Sequence, residues 1–368
     1  MSAEAEPVGS LVDGLFRREA GRLVARLARQ LGAARLELAE DAVQEALLAA
    51  LRTWSIRGVP QDPRAWLARA ARNAALDRLR GQRESTAEAE VLERWNDEEP
   101  RDPDALEDSE LAMLFACAHP ALAREARVAL MLNAVAGFAA AEIARLGLES
   151  ESAVAQRLVR AKAKLRDEEL RLETPRGAEL AERLEGVLDA VYGMLTEGLS
   201  AHRGEELVRA DVVRAALRLA LELARDPRTA TPRSHALAAL ALFHAARVPA
   251  RTDAAGGPLL LEEQDRGRWD RKLIALGFAQ LSLAASGDEL SELHIEAGIA
   301  SQHALARTWD DTDWQAILHW YDLLAERNAS PVVRLNRAVA LAKVHGAGAR
   351  SGAERALLER KLARARTP

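Results

Sequence analysis

Strong helix formers fill nearly every stretch of this chain between its glycines and prolines. Alanine, leucine, arginine and glutamate dominate, runs of β-branched residues are nearly absent, and aromatic residues make up only 4% of 368 positions. Since β-sheets favour β-branched and aromatic side chains, whereas these four residues favour helices, the sequence predicts an all-α fold. The hydrophobic fraction of 49% is enough for packed cores, and the length suggests two or three domains.

Several functional classes are disfavoured by the residues present. The single cysteine, Cys117, excludes a disulfide framework and a cysteine-based zinc site, and it fits a reducing cytoplasm. Apolar stretches such as Ala236 to Leu242 are too short to span a bilayer, and the acidic first residues do not resemble a signal peptide. The sequence has no phosphate-binding loop, no serine elbow and no catalytic carboxylate pair, and its histidines show no metal-ligand pattern. It therefore predicts a protein that is not an enzyme and binds neither a cofactor nor a metal. We expect this protein to be cytoplasmic.

Charge is strongly segregated although the net charge is only −5. The window from Arg64 to Arg83 carries six arginines against Asp77, and the window from Glu151 to Arg166 carries five basic residues against Glu151. Between them, residues 84–110 carry twelve acids against two arginines. Such an acidic segment buries little apolar surface, so we expect a flexible spacer between two basic helical modules.

The second module has the pattern of a helix-turn-helix. An apolar helix over 127–136 is followed by Gly137, a short helix over 141–145, Gly147 and a longer helix over 152–166. Helical periodicity divides the last helix into two faces. The face predicted to be buried contains Val154, Leu158, Ala161 and Leu165. The exposed face carries Arg157, Arg160 and Lys164, as a helix that reads DNA requires.

The first module contains two more amphipathic helices. In the segment 38–54, Val43, Leu47, Leu51 and Trp54 form an apolar stripe, and Asp41, Gln44, Glu45 and Leu48 occupy another face. Residues 55–63 interrupt the helix with one glycine and two prolines. The helix that follows alternates arginines with apolar residues, among which Trp66 is expected to lie in the core.

Several short sequence motifs resemble those of a known protein family. Residues 39–46 (AEDAVQEA), 63–67 (PRAWL) and 71–80 (ARNAALDRLR) strongly resemble region 2 of bacterial extracytoplasmic-function sigma factors, and residues 155–162 (AQRLVRAK) resemble region 4. The C-terminal half is similar to a tetratricopeptide-like extension found in one subgroup, with matching words at 197–198, 263–266, 269–270, 312–314 and 331–340. The segment 195–199 departs from the subgroup, since it lacks the usual asparagine before the glutamate and tyrosine after the glycine.

The resemblance implies four segments and their partners. Residues 8–83 correspond to region 2, which binds core RNA polymerase and the −10 promoter element, and residues 84–108 form the acidic flexible linker. Residues 109–170 correspond to the region 4 helix-turn-helix, which binds the −35 element, and residues 175–368 form the helical, tetratricopeptide-like regulatory extension. Promoter DNA and core polymerase, through its β′ clamp helices and β flap, are the implied partners. The linker is either a tether or an acidic occupant of a basic polymerase channel.

The resemblance also assigns roles to individual residues. Binding to core polymerase is assigned to Asp41, Gln44, Glu45 and Leu48. Binding to the −10 element is assigned to Arg69, Arg72, Asn73, Arg78 and Arg80, with Asp77 expected to pair with Arg80. Binding to the −35 element is assigned to Ser152, Gln156, Arg157, Arg160 and Lys164, without deciding which of them reads bases.

In this subgroup the fused extension is expected to regulate the factor in place of a separate anti-sigma protein, by activation or by inhibition. The resemblance points to Glu197, Asp265, Arg266, Trp269 and Asn336 as candidate residues of the extension. A structural role is the favoured interpretation for most of them, and Arg266 is expected to pair with Asp270.

Two other functions are compatible with parts of the pattern. A helix-turn-helix regulator with a helical sensor domain would bind DNA without polymerase, but it does not need the Asp41–Glu45 face or the arginine helix. An enzyme or scaffold with an incidental helix-turn-helix is disfavoured by the absence of a catalytic constellation.

Overall fold

A computed structural model describes residues 8–32, 35–81, 111–147, 149–167, 175–199, 210–253 and 257–345. Within these ranges the regular structure is helical and contains no strand, which confirms the all-α prediction. The acidic linker predicted at 84–108 lies outside the described residues. The chain divides into two compact units, Met1–Ala230 with Ala254–Pro258, and Thr231–Asp253 with Leu259–Pro368. None of the described helices is long and apolar enough to cross a membrane.

The first unit begins with three helices that pack on one another: α1 (Val8–Leu31), α2 (Leu36–Arg57) and α3 (Pro63–Gly81). Leu67, Ala71, Ala75 and Leu79 of α3 are completely buried, and the arginines between them stay nearer the surface. Trp66 packs edge-on against the buried Trp54, with ring centroids 5.4 Å apart. The structure thus places Trp66 in the apolar contact between α2 and α3, as the sequence predicts.

The helix-turn-helix follows the undescribed spacer. A short helix, α4, covers residues 111–117. It is followed by α5 (Arg124–Leu130), which continues as a π-helical turn over Met131–Val135, then by α6 (Ala140–Gly147) and α7 (Glu151–Asp167). Gly137 has a positive φ of 75° in the turn before α6, a backbone conformation that glycine adopts without strain.

Two further helices belong to the first unit: α8 (Ala178–Leu199) and α9 (Ala210–Arg225). They pack on each other, and α8 also contacts α5 and α6 of the helix-turn-helix. Glu222 of α9 accepts a hydrogen bond from Arg22 of α1, with 3.3 Å between Nη2 and Oε1. The first helices of the segment predicted as the extension therefore share a compact unit with the two preceding modules.

The second unit consists of consecutive packed helices: α10 (Pro232–Arg247), α11 (Arg271–Ala284), α12 (Glu292–Leu305), α13 (Trp314–Arg327) and α14 (Pro331–His345). Side-chain caps define several helix starts, because Thr231, Asp270 and Asp313 each accept a hydrogen bond from a backbone amide in the first turn. The solenoid and the tetratricopeptide-like assignment of this region both stay predictions.

Candidate polymerase and promoter interface

Helix α2 has one buried face and one exposed face. Its buried residues are Leu36, Ala39, Ala42, Val43, Ala46, Leu47, Ala50 and Trp54. The four residues predicted to bind polymerase all lie on the exposed side, where Leu48 leaves 53% of its surface accessible. We call Asp41, Gln44, Glu45 and Leu48 the docking face. An exposed leucine beside acidic and amide groups can supply apolar contact and hydrogen-bond acceptors to a basic protein partner.

The docking face is joined to α3 through Arg78. Arg78 donates to Asp41 across 2.8 Å between Nη1 and Oδ2, and its Nε lies 3.4 Å from Oε2 of Glu45. All three side chains are exposed, so each ion pair contributes only about 0–1 kcal/mol and exchanges easily with another partner. Arg78, predicted to bind the −10 element, thus contacts Asp41 and Glu45, which are predicted to bind polymerase. The sequence motifs alone did not predict this contact.

The other residues predicted for the −10 element lie along α3. Arg69, Asn73 and Arg80 are exposed, and Arg80 lies 3.4 Å from Asp77 as expected from their spacing. Arg72 is half-buried where α3 approaches α1. Burial, and then the charge of Arg72, lower the pKa of Arg26 on α1. The α3 surface is therefore positively charged and extends to α1.

The helix α7 has the two faces that the periodicity predicts. Its buried residues are Val154, Leu158, Ala161 and Leu165. Ser152 and Gln156 are exposed near its N-terminus, and Arg160 is exposed one turn later. These positions leave the side chains accessible to a DNA groove.

Two of the basic residues predicted to bind the −35 element form hydrogen bonds within region 109–170 itself. Arg157 donates to Glu149 across 2.6 Å between Nη2 and Oε2. Lys164 donates to the backbone carbonyl of Ala121 across 2.6 Å. Arg160 instead donates within α7, from Nε to the carbonyl of Gln156 at 3.3 Å. DNA binding through Arg157 and Lys164 requires them to exchange these bonds.

Comparison with known proteins decides the family. Residues 16–85 match the family described as sigma-70 region 2, and residues 112–165 match the family described as sigma-70, region 4. The chain belongs to the extracytoplasmic-function sigma factors. This sigma factor also matches, over residues 183–285, a family of unknown function named DUF6596.

One curated relative covers most of the sigma factor. An uncharacterized protein of Rhizobium meliloti is 40% identical over 319 residues, which is 84% of this chain and 75% of that protein. No solved structure matches the chain. The family expected from the sequence words is confirmed, whereas the roles of individual residues remain predictions.

An ion pair that the sequence analysis missed joins regions 2 and 4 of the sigma factor. Lys162 of α7 lies 2.6 Å from Oε2 of Glu40 on α2, and both side chains are mostly buried. Burial raises the pKa of Glu40, and the charge of Lys162 opposes that rise. Because the two residues are 122 positions apart, no local pattern connects them.

A second close contact between regions 2 and 4 involves the backbone. A Cβ atom added to Gly21 of α1 would lie 1.8 Å from the carbonyl oxygen of Val135 in the π-helical turn. Only a residue without a side chain fits this approach. Complete burial, and then the charge of Glu40, raise the pKa of the Cys117 thiol to about 12, so this cysteine is a core residue with no reactive thiolate at neutral pH.

Helix α8 and the helix-turn-helix enclose a groove of about 350 Å³. Glu197, predicted as a residue of the regulatory extension, lines it together with Thr196 and Arg157. The backbone of α8 passes close to α5, since a Cβ added to Gly193 would lie 3.1 Å from Cγ2 of Val128. A residue predicted to contact the promoter and one predicted for regulation therefore share one groove within the first unit.

The remaining extension residues are in the second unit. Asp265 caps a short turn by accepting from the amide of Gly267, and Trp269 is buried. Asn336 is exposed and hydrogen-bonds to Tyr321.

The expected pairing of Arg266 with Asp270 is wrong. Asp270 instead accepts from two amides at the start of α11. Arg266 is buried and donates to the carbonyls of His303 and Ala306 and to the hydroxyl of Thr312. The separation of 37 to 46 positions explains why sequence spacing did not predict these partners.

Proposed function

We propose that this sigma factor binds core RNA polymerase, directs it to specific promoters and assists duplex melting, without catalysing a reaction itself. The observation that carries the proposal is the docking face, which leaves an acidic, amide and leucine surface exposed directly opposite the buried face of α2. Under this proposal the docking face binds the β′ clamp helices, region 4 contacts the β flap, and the protein acts in the cytoplasm.

The arginine surface of α3 supports a role in duplex opening. Arg69, Asn73 and Arg80 are exposed there, and melting requires a positive surface for single-stranded DNA. In region 4 we propose that Arg157, Arg160 and Lys164 contact phosphates of the −35 element and that Ser152 and Gln156 reach base edges. Glutamine is suited to bidentate contacts with adenine.

Substitutions on the docking face test polymerase binding. Asp41→Ala with Gln44→Ala removes an acid and an amide that are exposed, so the fold is expected to persist while affinity for core polymerase falls at least tenfold. Glu37→Ala is the matched control, since it removes an exposed acid from the same helix outside the docking face. Core affinity is measured with labelled sigma factor by fluorescence anisotropy. Equal affinity of the docking variant and the control would contradict the assignment.

Transcription with purified components separates this function from the alternative. Full-length protein with core polymerase is expected to produce transcripts from its own promoter, and the docking variant is expected to lose them. A regulator that acts without polymerase would instead bind promoter DNA equally well with and without the core enzyme, and it would form no complex with that enzyme.

We further propose that the extension regulates region 4 through α8. What supports this step is the groove that Glu197 and Arg157 both line, and the close packing of Gly193 on Val128. Gly193→Val is expected to displace α8 from α5 and to change transcript yield at least threefold while leaving core affinity unchanged. Asp189→Ala, at an exposed position of the same helix, is the control. Unchanged transcription by the Gly193 variant would count against regulation through this contact.

A further inference from the structure

The second unit contains a concentration of cationic and imidazole side chains. Arg247 ends α10, Arg251 follows it, and Arg266 lies in the short turn before α11. His244 lies one turn before Arg247, and His303 is near the end of α12. We call these five residues the cationic cluster.

Members of the cationic cluster are buried with too few hydrogen-bond acceptors. Arg247 is only 9% exposed, and its Nε lies 3.4 Å from the amide oxygen of Gln264. Nη1 of Arg251 is buried and has no hydrogen-bond partner, and the same is true of Nδ1 in His244 and in His303. Buried polar groups are normally paired, so this many orphaned atoms in one place indicates a missing partner.

The partners that do exist are neutral. Arg266 donates to two backbone carbonyls, of His303 at 2.6 Å and of Ala306 at 2.8 Å, and to the hydroxyl of Thr312 at 3.1 Å. The Trp269 ring makes cation–π contacts with two guanidinium groups, which lie 5.3 Å (Arg247) and 4.9 Å (Arg266) from the ring centroid. Among the described residues, no salt bridge joins any of the three arginines to a carboxylate.

Little negative charge acts on the cluster: burial lowers the pKa of Arg266, and the charge of Asp311 only partly opposes that shift. Burial, followed by the charges of Arg251 and Arg266, lowers the pKa of Arg247 to about 9. Burial, followed by the charges of Arg247 and Arg266, lowers the pKa of His303 to about 3. The three guanidinium groups repel one another, and a buried unpaired charge costs several kcal/mol.

We propose that the cationic cluster binds a small oxyanion, a carboxylate or phosphate group carried by an effector molecule. The planar guanidinium groups of Arg247 and Arg251 match the paired oxygens of either anion, and the unpaired imidazole nitrogens supply further polar contacts. Arg251 and His244 are only half-buried, so an anion reaches the cluster from solvent beside them. The site is separate from the docking face and from the residues proposed to bind the promoter.

Calorimetric titration of the full-length protein tests the site. Sodium phosphate and sodium acetate are titrated separately, with sodium chloride at the same ionic strength as the reference. We expect at least one oxyanion to bind saturably with one site per chain and to raise Tm, while chloride does neither. Binding of phosphate alone assigns a phosphate-bearing effector, and binding of acetate alone assigns a carboxylate. If neither anion binds more tightly than chloride, the proposal is wrong.

Two variants connect that binding to the cluster. Arg251→Met removes a guanidinium whose Nη1 is buried and unpaired, so the variant is expected to fold with an unchanged or higher Tm in chloride and to bind the oxyanion at least tenfold more weakly. Arg247→Met is expected to behave in the same way. Arg268→Met is the matched control, because Arg268 is exposed in the same short turn as Arg266. Full oxyanion binding by Arg251→Met would overturn the assignment, as would an equal loss in the Arg268 control.

Discussion

Lys162 on the helix proposed to read the promoter lies 2.6 Å from Glu40 on the helix proposed to bind polymerase. Both side chains are mostly buried, so the contact exists only while regions 2 and 4 are packed together. Glu40 directly precedes Asp41 of the docking face. The arrangement brings α2 of region 2 and α7 of region 4 into direct contact.

Lys162→Met is expected to lower the free energy of unfolding by about 3 kcal/mol, because it leaves a mostly buried carboxylate without its counter-ion. Adding Glu40→Gln removes that charge and is expected to restore much of the loss. Urea denaturation of both variants and of the exposed control Arg160→Met measures the effect. If the single and double variants are equally destabilised, Lys162 and Glu40 are not energetically coupled.

Gly21→Ala is expected to destabilise the first unit through steric overlap. The added Cβ would lie 1.8 Å from the carbonyl oxygen of Val135, so α1 and the π-helical turn must separate. We expect increased hydrogen exchange in residues 131–135 and an earlier urea transition. Ala68→Ser, at a half-buried position of α3, serves as a control for a change of similar size. Unaltered exchange at 131–135 would show that the turn does not depend on this contact.

Arg78→Ala separates the two functions that meet at this residue. The lost surface ion pairs with Asp41 and Glu45 change stability by no more than about 1 kcal/mol. Because the acids of the docking face become free, affinity for core polymerase is expected to be unchanged or higher, while promoter opening decreases. Anisotropy and the fluorescence of 2-aminopurine in the −10 element measure the two steps. A parallel loss of core affinity would place Arg78 in the docking surface instead, and Arg52→Ala on α2 is the control.

Replacing Arg157 and Arg160 with alanine is expected to weaken promoter binding by the holoenzyme and to leave core association intact. If each residue contacts one phosphate, the slope of log K against log salt concentration becomes smaller by about 2. Arg225→Ala, at an exposed position of α9, is the control. An unchanged salt slope with unchanged promoter selectivity would contradict the region 4 assignments.

His303 predicts a pH dependence of stability. Its pKa is about 3 in the folded protein against an ordinary value near 6.5, so the unfolded chain binds more protons between these values. This histidine therefore makes stability fall as pH decreases from about 6.5 towards 3, by up to about 1.4 kcal/mol per pH unit. His303→Gln is expected to lose less stability than the parent between pH 7 and pH 5, and His319→Gln is the exposed control. Parallel curves for His303→Gln and the parent would refute this effect.

Helical periodicity in the sequence correctly predicted which side chains of individual helices are buried and which are exposed. The four apolar residues of α7 are buried as expected, and Trp66 packs in the core, because a helical repeat of 3.6 residues fixes which side chains share a face. The same rule placed the docking residues on the exposed side of α2. Short-range spacing also predicted the pair of Arg80 and Asp77.

Contacts between residues that are far apart in the chain could not be predicted from the sequence. Lys162 and Glu40 meet only because two modules pack together, and Arg266 finds its acceptors more than thirty residues away. The cationic cluster was missed for the same reason, since α10 with the residues after it, the turn containing Arg266, and α12 come together only in the fold and form no recognisable motif.

Glu40 and Asp41 are consecutive, so their side chains project about 100° apart around α2. One is attached to region 4 and the other is available to an enzyme. Under the proposed function, a rotation of α2 on polymerase binding would therefore also act on α7 through Lys162. Binding of the enzyme and repositioning of the helix proposed to contact the promoter would then be coupled within this one chain.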